Sequence, residues 1–267
     1  MRIATFDEKL YRRLVEVDAA RIRFGNLLFH EEFSERPFGA AIALRNQTRP
    51  RDGLFNRVIG FGGAELAALD DVIAFYDAVK IACQIDVCPS HATPELLEAL
   101  QRAGFRAEGT CSVFHTVPER MSSTNDAIVI DEAVGDAVLE WIDFHRRLGE
   151  RSALETDERN RRAAFYSQHP EHRLFFASID GERAAVGALL FHGDACHLSN
   201  AHTSNDKRGR GLQQALLRHR LDIAAQRRCT LAVTDTMFGN TSHRNAERVG
   251  FRLAYNPTFW VRRNSSS

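Results

Sequence analysis

The chain of 267 residues has no apolar run near the roughly 18 residues that a membrane span requires. It has no excess of either charge, with 35 basic and 35 acidic residues. That balance argues against a general polyanion binder, so neither nucleic acid nor membrane is an expected partner. Charged residues interrupt the N-terminus (Met-Arg-Ile-Ala-Thr-Phe-Asp-Glu) where a secretory signal needs its apolar stretch, so a cytoplasmic location is expected. Cysteines number five, an odd count at irregular spacing, which fits reduced buried thiols rather than a disulfide framework. Cys83, Cys88 and His91 invite a zinc reading. Residues 84–87 read as a strand, however, so Cys83 and Cys88 face apart and no metal is expected. A Gly-x-Ser-x-Gly elbow, a His-Glu-x-x-His helix and a Walker loop are all missing, which removes three common hydrolytic and nucleotide-binding chemistries.

What is present is a mixed α and β pattern. Apolar spacing predicts helices over 6–23, 66–80 and 93–103, the last opened by Thr93-Pro94-Glu95 and stopped at Gly104. Strands are expected at 39–44, 54–61, 81–88 and within 105–115. A polar stretch without periodicity, 118–126, marks a linker. Beyond it come a strand (127–131), helices at 136–148 and 157–168, and strands at 174–179 and 184–191 joined by a turn containing Asp180-Gly181, a strong hairpin signal. A strand (195–203), a long helix (212–226), a strand (229–235), a short helix ending at Val249 and strands at 251–254 and 259–262 complete the order. Residues 264–267 read as a loose tail.

The two halves repeat. Ile85, Val87, Arg102, Gly104, Phe105 and Arg106 align with Leu231, Val233, Arg248, Gly250, Phe251 and Arg252, an offset of 146 (231 − 85). Val113-Phe114 falls on Phe259-Trp260. This pattern predicts a duplicated domain: an N-terminal copy over 1–117 and a C-terminal one over 127–263.

Between the strand at 195–203 and the helix at 212–226 lies Arg208-Gly209-Arg210-Gly211. A glycine turn opening a helix presents unpaired N–H groups, and the helix dipole adds partial positive charge. Together they suit a pyrophosphate. In the first copy the aligned residues are Gly62-Gly63-Ala64-Glu65. A carboxylate there repels a phosphate, so only the second copy is expected to bind such a ligand.

Arg208-Gly209-Arg210-Gly211-Leu212-Gln213 resembles the Gln/Arg-x-x-Gly-x-Gly/Ala signature of the GCN5-related N-acetyltransferases, with Gln213 a departure at the last position. Ser242-x-x-Asn245-x-x-Arg248-x-Gly250-Phe251 resembles that family's second cofactor segment. The likeness is greatest to tandem forms with a degenerate N-terminal copy. The resemblance implies an α/β fold of two tandem domains, each a mixed, mostly antiparallel sheet flanked by helices. It implies acetyl-coenzyme A as co-substrate, held between the splayed strands 195–203 and 229–235. The backbone of His202 and Thr203 would pair with pantetheine, the turn Arg208, Gly209, Arg210, Gly211, Leu212 and Gln213 would hold the pyrophosphate, and Ser242 and Asn245 would reach pantetheine or the adenosine end. The acetyl group would pass by direct attack to an amine of a small molecule or peptide, in a monomer or homodimer. The family's usual tyrosine acid falls at Ala246 here. His202, His197 and Tyr255 are the substitutes, with His202 and Tyr255 taken as the catalytic candidates. Asp235 either orients substrate or caps the following turn. A non-catalytic acyl-coenzyme A binder or regulatory protein on the same fold is the rival expectation.

Overall fold

The computed structural model describes residues 7–29, 33–122 and 125–263. The expected tail 264–267 and two residues of the expected linker, 123 and 124, lie outside that set. The chain forms two compact units, one from residues up to Val113 together with Ala254 onward, the other from Phe114 to Leu253.

The first unit opens with α1 (Glu8–Phe29), where Leu10 N donates to the Asp7 carboxylate at 3.0 Å. The helix runs past the expected end at 23, because Phe24 and Leu28 continue its buried stripe. Strands β1 (Phe33–Phe38) and β2 (Ala41–Asn46) form a hairpin around Gly39, whose φ of 64° suits a residue without a Cβ. The strand expected at 39–44 is thus the second arm of a hairpin, and Pro37 sits on the first, which is the sheet edge. Then come β3 (Arg57–Ile59), α2 (Leu69–Asp77), β4 (Cys83–Val87), α3 (Pro94–Arg102) and β5 (Arg106–Thr110), and β6 (Ser112–Thr116) follows across the boundary between the units. The start of α3 is as expected, with Leu96 N donating to Thr93 Oγ1 at 3.2 Å. Phe61, Val72, Tyr76, Ile85 and Leu96, all with no exposed surface, centre this unit's core. Each such side chain contributes roughly 1.5–3 kcal/mol by burial.

The second unit runs β7 (Ile128–Glu132), α4 (Ala137–Leu148), α5 (Thr156–Gln168), β8 (His172–Ile179), β9 (Glu182–His192), β10 (Ala195–Thr203), α6 (Leu212–Gln226), β11 (Leu231–Thr236), α7 (Thr241–Arg248) and β12 (Arg252–Tyr255). Asp180 and Gly181, both at positive φ, join β8 to β9 in register from Ile179↔Glu182. The last strand is β13 (Thr258–Arg262).

The sheet orders are β1-β2-β3-β4-β13-β5 and β12-β6-β11-β10-β9-β8-β7. The chain's last strand therefore belongs to the first sheet, antiparallel to β4 and β5, while β6 belongs to the second. The division expected from the sequence, 1–117 and 127–263, differs at this point: each copy lends one strand to the other's sheet. Duplication explains the exchange, since Ser112–Thr116 and Thr258–Arg262 are the same segment of the repeat, 146 residues apart (258 − 112). No helix among the described residues is long and apolar enough to cross a membrane.

Candidate active site

β10 and β11 pair in parallel only from Ala195↔Leu231 to His197↔Val233. One further tie, Thr234 Oγ1 donating to Leu198 O at 2.9 Å, ends the ladder, and the strands then part as the sequence implied. On its other edge β10 bulges against β9 between Ser199 and His202, with Asn200 at φ 52°. The carbonyls around the bulge are held by Arg220 of α6, a fully buried arginine. Its Nη1 donates to Ala188 O at 2.8 Å and Ser199 O at 3.2 Å, and its Nε to Leu216 O at 3.0 Å. Burial pushes the Arg220 pKa down to about 9. Gly187 makes room for it: a Cβ there would stand 3.0 Å from Arg220 Cζ.

At the far end of β10 the chain turns through Gly209 (φ 79°) and Gly211 (φ 86°), the latter the left-handed residue that opens α6. Here a cleft of about 650 Å³ is walled by Ala201, His202 and Thr203, by the turn and first residues of α6, and by Asn240 to Ser242, Asn245 and Arg248. The charged lining residues are Lys207, Arg208 and Arg248, all cationic. The first N–H groups of α6 have no partner within the helix. Asn245 Oδ1 accepts from Gln214 Nε2 at 3.2 Å, which braces α7 against α6.

Of the residues expected to hold a cofactor, His202, Thr203, Arg208, Gly209, Gly211, Leu212, Gln213, Ser242 and Asn245 all line this one cleft. Arg210 does not. Its guanidinium turns to Asp180 at 2.6 Å and holds that carboxyl below its usual range. Tyr255 does not either. It belongs to the first unit, its ring 5.3 Å from Tyr11, and burial holds its hydroxyl well above the ordinary range. The reason is topological, since residue 255 ends β12 just where the chain passes from one unit to the other. Ala246 is buried in the second core.

The opposite face of this sheet carries histidines. His197, 2% exposed, places Nε2 3.1 Å from the Asp235 carboxylate, which is 38% exposed. His172 lies in the same cross-strand row (His172↔Leu190↔His197) against Tyr166. Burial, aided by His197, pushes His172 down to about 3. His202 packs edge-on against His145, which stacks on Trp141. Burial lowers His202, and Arg151 and Arg208 lower it further, so its neutral form is favoured.

Residues 137–251 match the family model described as the acetyltransferase (GNAT) family. The matched residues lie wholly within the second unit. The fold of the chain is similar to that of a GCN5-related N-acetyltransferase from Kribbella flavida, with a TM-score of 0.68 at 14% identity over 96% of each chain. It is similar too to a GCN5-related N-acetyltransferase from Sphaerobacter thermophilus (TM-score 0.57, 11% identity, 83% of this chain and 80% of the other). A tandem GNAT protein from the clavulanic acid biosynthesis pathway resembles it over 96% of this chain and 94% of the other (TM-score 0.59, 12% identity). No curated protein sequence matches the chain.

The first unit has the same arrangement with different contents. Its parallel pair is β3 and β4, and β3 stops after three residues, so it offers no splayed edge. Its glycine turn is closed by its own carboxylate: Gly62 N donates to Glu65 Oε2 at 3.0 Å and Ala40 N to Oε1 at 3.3 Å.

The sequence reading passed over Arg220, Lys207 and Gln214. For Arg220 a signal exists: an arginine at helical spacing from Leu216, Leu217 and Ala224, hence on the apolar face of α6, and a glycine inside strand β9.

Proposed function

We propose that the second unit binds acetyl-coenzyme A in the cationic cleft and transfers its acetyl group to an amine. The observation that carries this reading is the convergence of the glycine turn, the end of β10 and α7 on one cleft whose charged residues are all positive. The pyrophosphate takes the amides at the start of α6, with Arg208 adding charge. The pantetheine arm pairs with the backbone of His202 and Thr203 as an added strand. From Thr203 back to Leu198 the strand covers roughly 16 Å at about 3.3 Å per residue, a span that suits the arm. The thioester then reaches the point where β10 and β11 part.

Two residues from that point stands Asp235, held by His197. An acceptor arrives as an ammonium ion. Asp235, directly or through one water, takes its proton, and the neutral nitrogen attacks the thioester carbon. A backbone amide of β10 beside the bulge serves the developing oxyanion. The carbon–sulfur bond breaks and the thiolate takes a proton from solvent, since Ala246 and Tyr255 supply none. His202, held neutral on the cleft wall, is the second candidate base.

The acceptor is a small-molecule or peptide amine. Coenzyme A affinity tests the reading: Arg208→Glu and Gly211→Glu should each weaken binding strongly, and unchanged binding in both refutes the site. The buried Ala246 favours a second reading, a non-catalytic acyl-coenzyme A binder. Amine-dependent thiol release separates the two.

A further inference from the structure

The two halves carry clefts at the same place in the repeat, beside the parallel strand pair and the glycine turn, and their charges are inverted. In the second unit the charged lining residues are two arginines and a lysine. In the first, a cavity of about 540 Å³ is bordered by Glu8, Glu16 and Glu65 against a single Arg12. The phosphate position is closed there by Glu65, whose two oxygens accept from the Gly62 and Ala40 amides. Glu8 is shared between Arg12 Nε at 3.0 Å and His91 Nε2 at 2.9 Å. The cavity's inner wall is apolar and aromatic. Tyr11 stands edge-on to His91 with ring centroids 4.5 Å apart, beside Val15 and Ile42. Burial holds the Tyr11 hydroxyl above its ordinary range.

A cleft of comparable size in the first unit thus presents carboxylates where the second presents cations. We propose that the first unit holds a binding site for a small organic cation, an amine carrying an apolar or aromatic body. The ammonium lies at the Glu16 carboxylate on the rim, since Glu8 is engaged by Arg12 and His91 and extends the negative border, and the body lies against Tyr11 and Val15. Opposite charge in a half-enclosed cavity attracts the ammonium, and the apolar wall takes the body.

The test is calorimetric titration of the full chain, saturated with coenzyme A, using amines from butylamine to 2-phenylethylamine and the uncharged 2-phenylethanol as control. The expected result is saturable one-to-one binding of an amine, weakened at least tenfold in the Glu8→Gln/Glu16→Gln double variant, with no binding of the alcohol. Glu8 and Glu16 are exposed, so the double variant should fold. Equal binding of the alcohol would reduce the site to an apolar crevice and overturn the proposal. So would the lack of saturable binding by any amine at millimolar concentration, or amine binding lost in Asp235→Asn and retained in the double variant. Arg208→Glu keeps the two readings apart: it should abolish coenzyme A binding and leave amine binding to the first unit intact.

Discussion

The Arg220 guanidinium donates to the carbonyl of Ser199 at 3.2 Å, so the helix that starts at the glycine turn is bolted to the strand that bulges and splays. Replacing Arg220 with Met leaves the carbonyls of Ser199 and Ala188 without that donor. A loss of about 1–3 kcal/mol is expected from unpaired buried polar groups. Gly187→Ala should destabilise by a similar amount, because its Cβ would crowd the guanidinium. Urea unfolding measures both, and coenzyme A titration should show weakened affinity in each, since the bulge sets the line of β10.

Asp235→Asn should lower kcat/KM for amine-dependent thiol release by about 10²–10⁴-fold while coenzyme A affinity stays at the wild-type value. His197→Gln should give a smaller loss, since it positions the carboxylate and does not take the proton. A pH–rate profile checks the assignment: the acidic limb should vanish in Asp235→Asn. If His202→Gln removes that limb and Asp235→Asn keeps it, the base is His202.

Glu65→Ala removes the acceptor for the Gly62 and Ala40 amides, and a cost of about 0.5–2 kcal/mol is expected, as for a lost helix cap. It should not create a second coenzyme A site, because β3 ends before any splay. Titration should return one coenzyme A per chain in both wild type and variant.

Acid should destabilise the protein in a window set by histidine. His145 and His172 are pushed down to about 3 by burial, from an ordinary 6.5. A folded-state pKa below the unfolded one means that the unfolded chain binds protons first. Stability is therefore lost as pH falls through about 6.5, at up to about 1.4 kcal/mol per pH unit for each histidine. Urea midpoints between about pH 6.5 and 5, above the usual carboxylate range, isolate the effect. His172→Phe should flatten the slope by its share.

Local patterns named most elements because they depend on near neighbours. The Asp180-Gly181 hairpin, the Thr93 cap of α3 and the glycine turn before α6 are written in a few adjacent residues, and the structure has each of them. The carboxylate that closes the first copy's glycine turn, Glu65, is likewise visible from the alignment of the two copies. Elements held by long-range pairing were less legible. The strand expected over 54–61 shrinks to Arg57–Ile59, and β1, an edge strand with Pro37, carries no clean alternation.

By itself the sequence determined the duplication and the order of strand, glycine turn and helix, since these follow from residue type and spacing. Tertiary structure alone decided which side chains meet. It turned Arg210 to Asp180, removed Tyr255 to the first unit through the exchange of β6 and β13, and joined His197 to Asp235 across two strands. The two strands occupy the same position in the repeat, so local sequence does not say which sheet takes which, and the long-range pairing of β13 with β4 and β5 decides it.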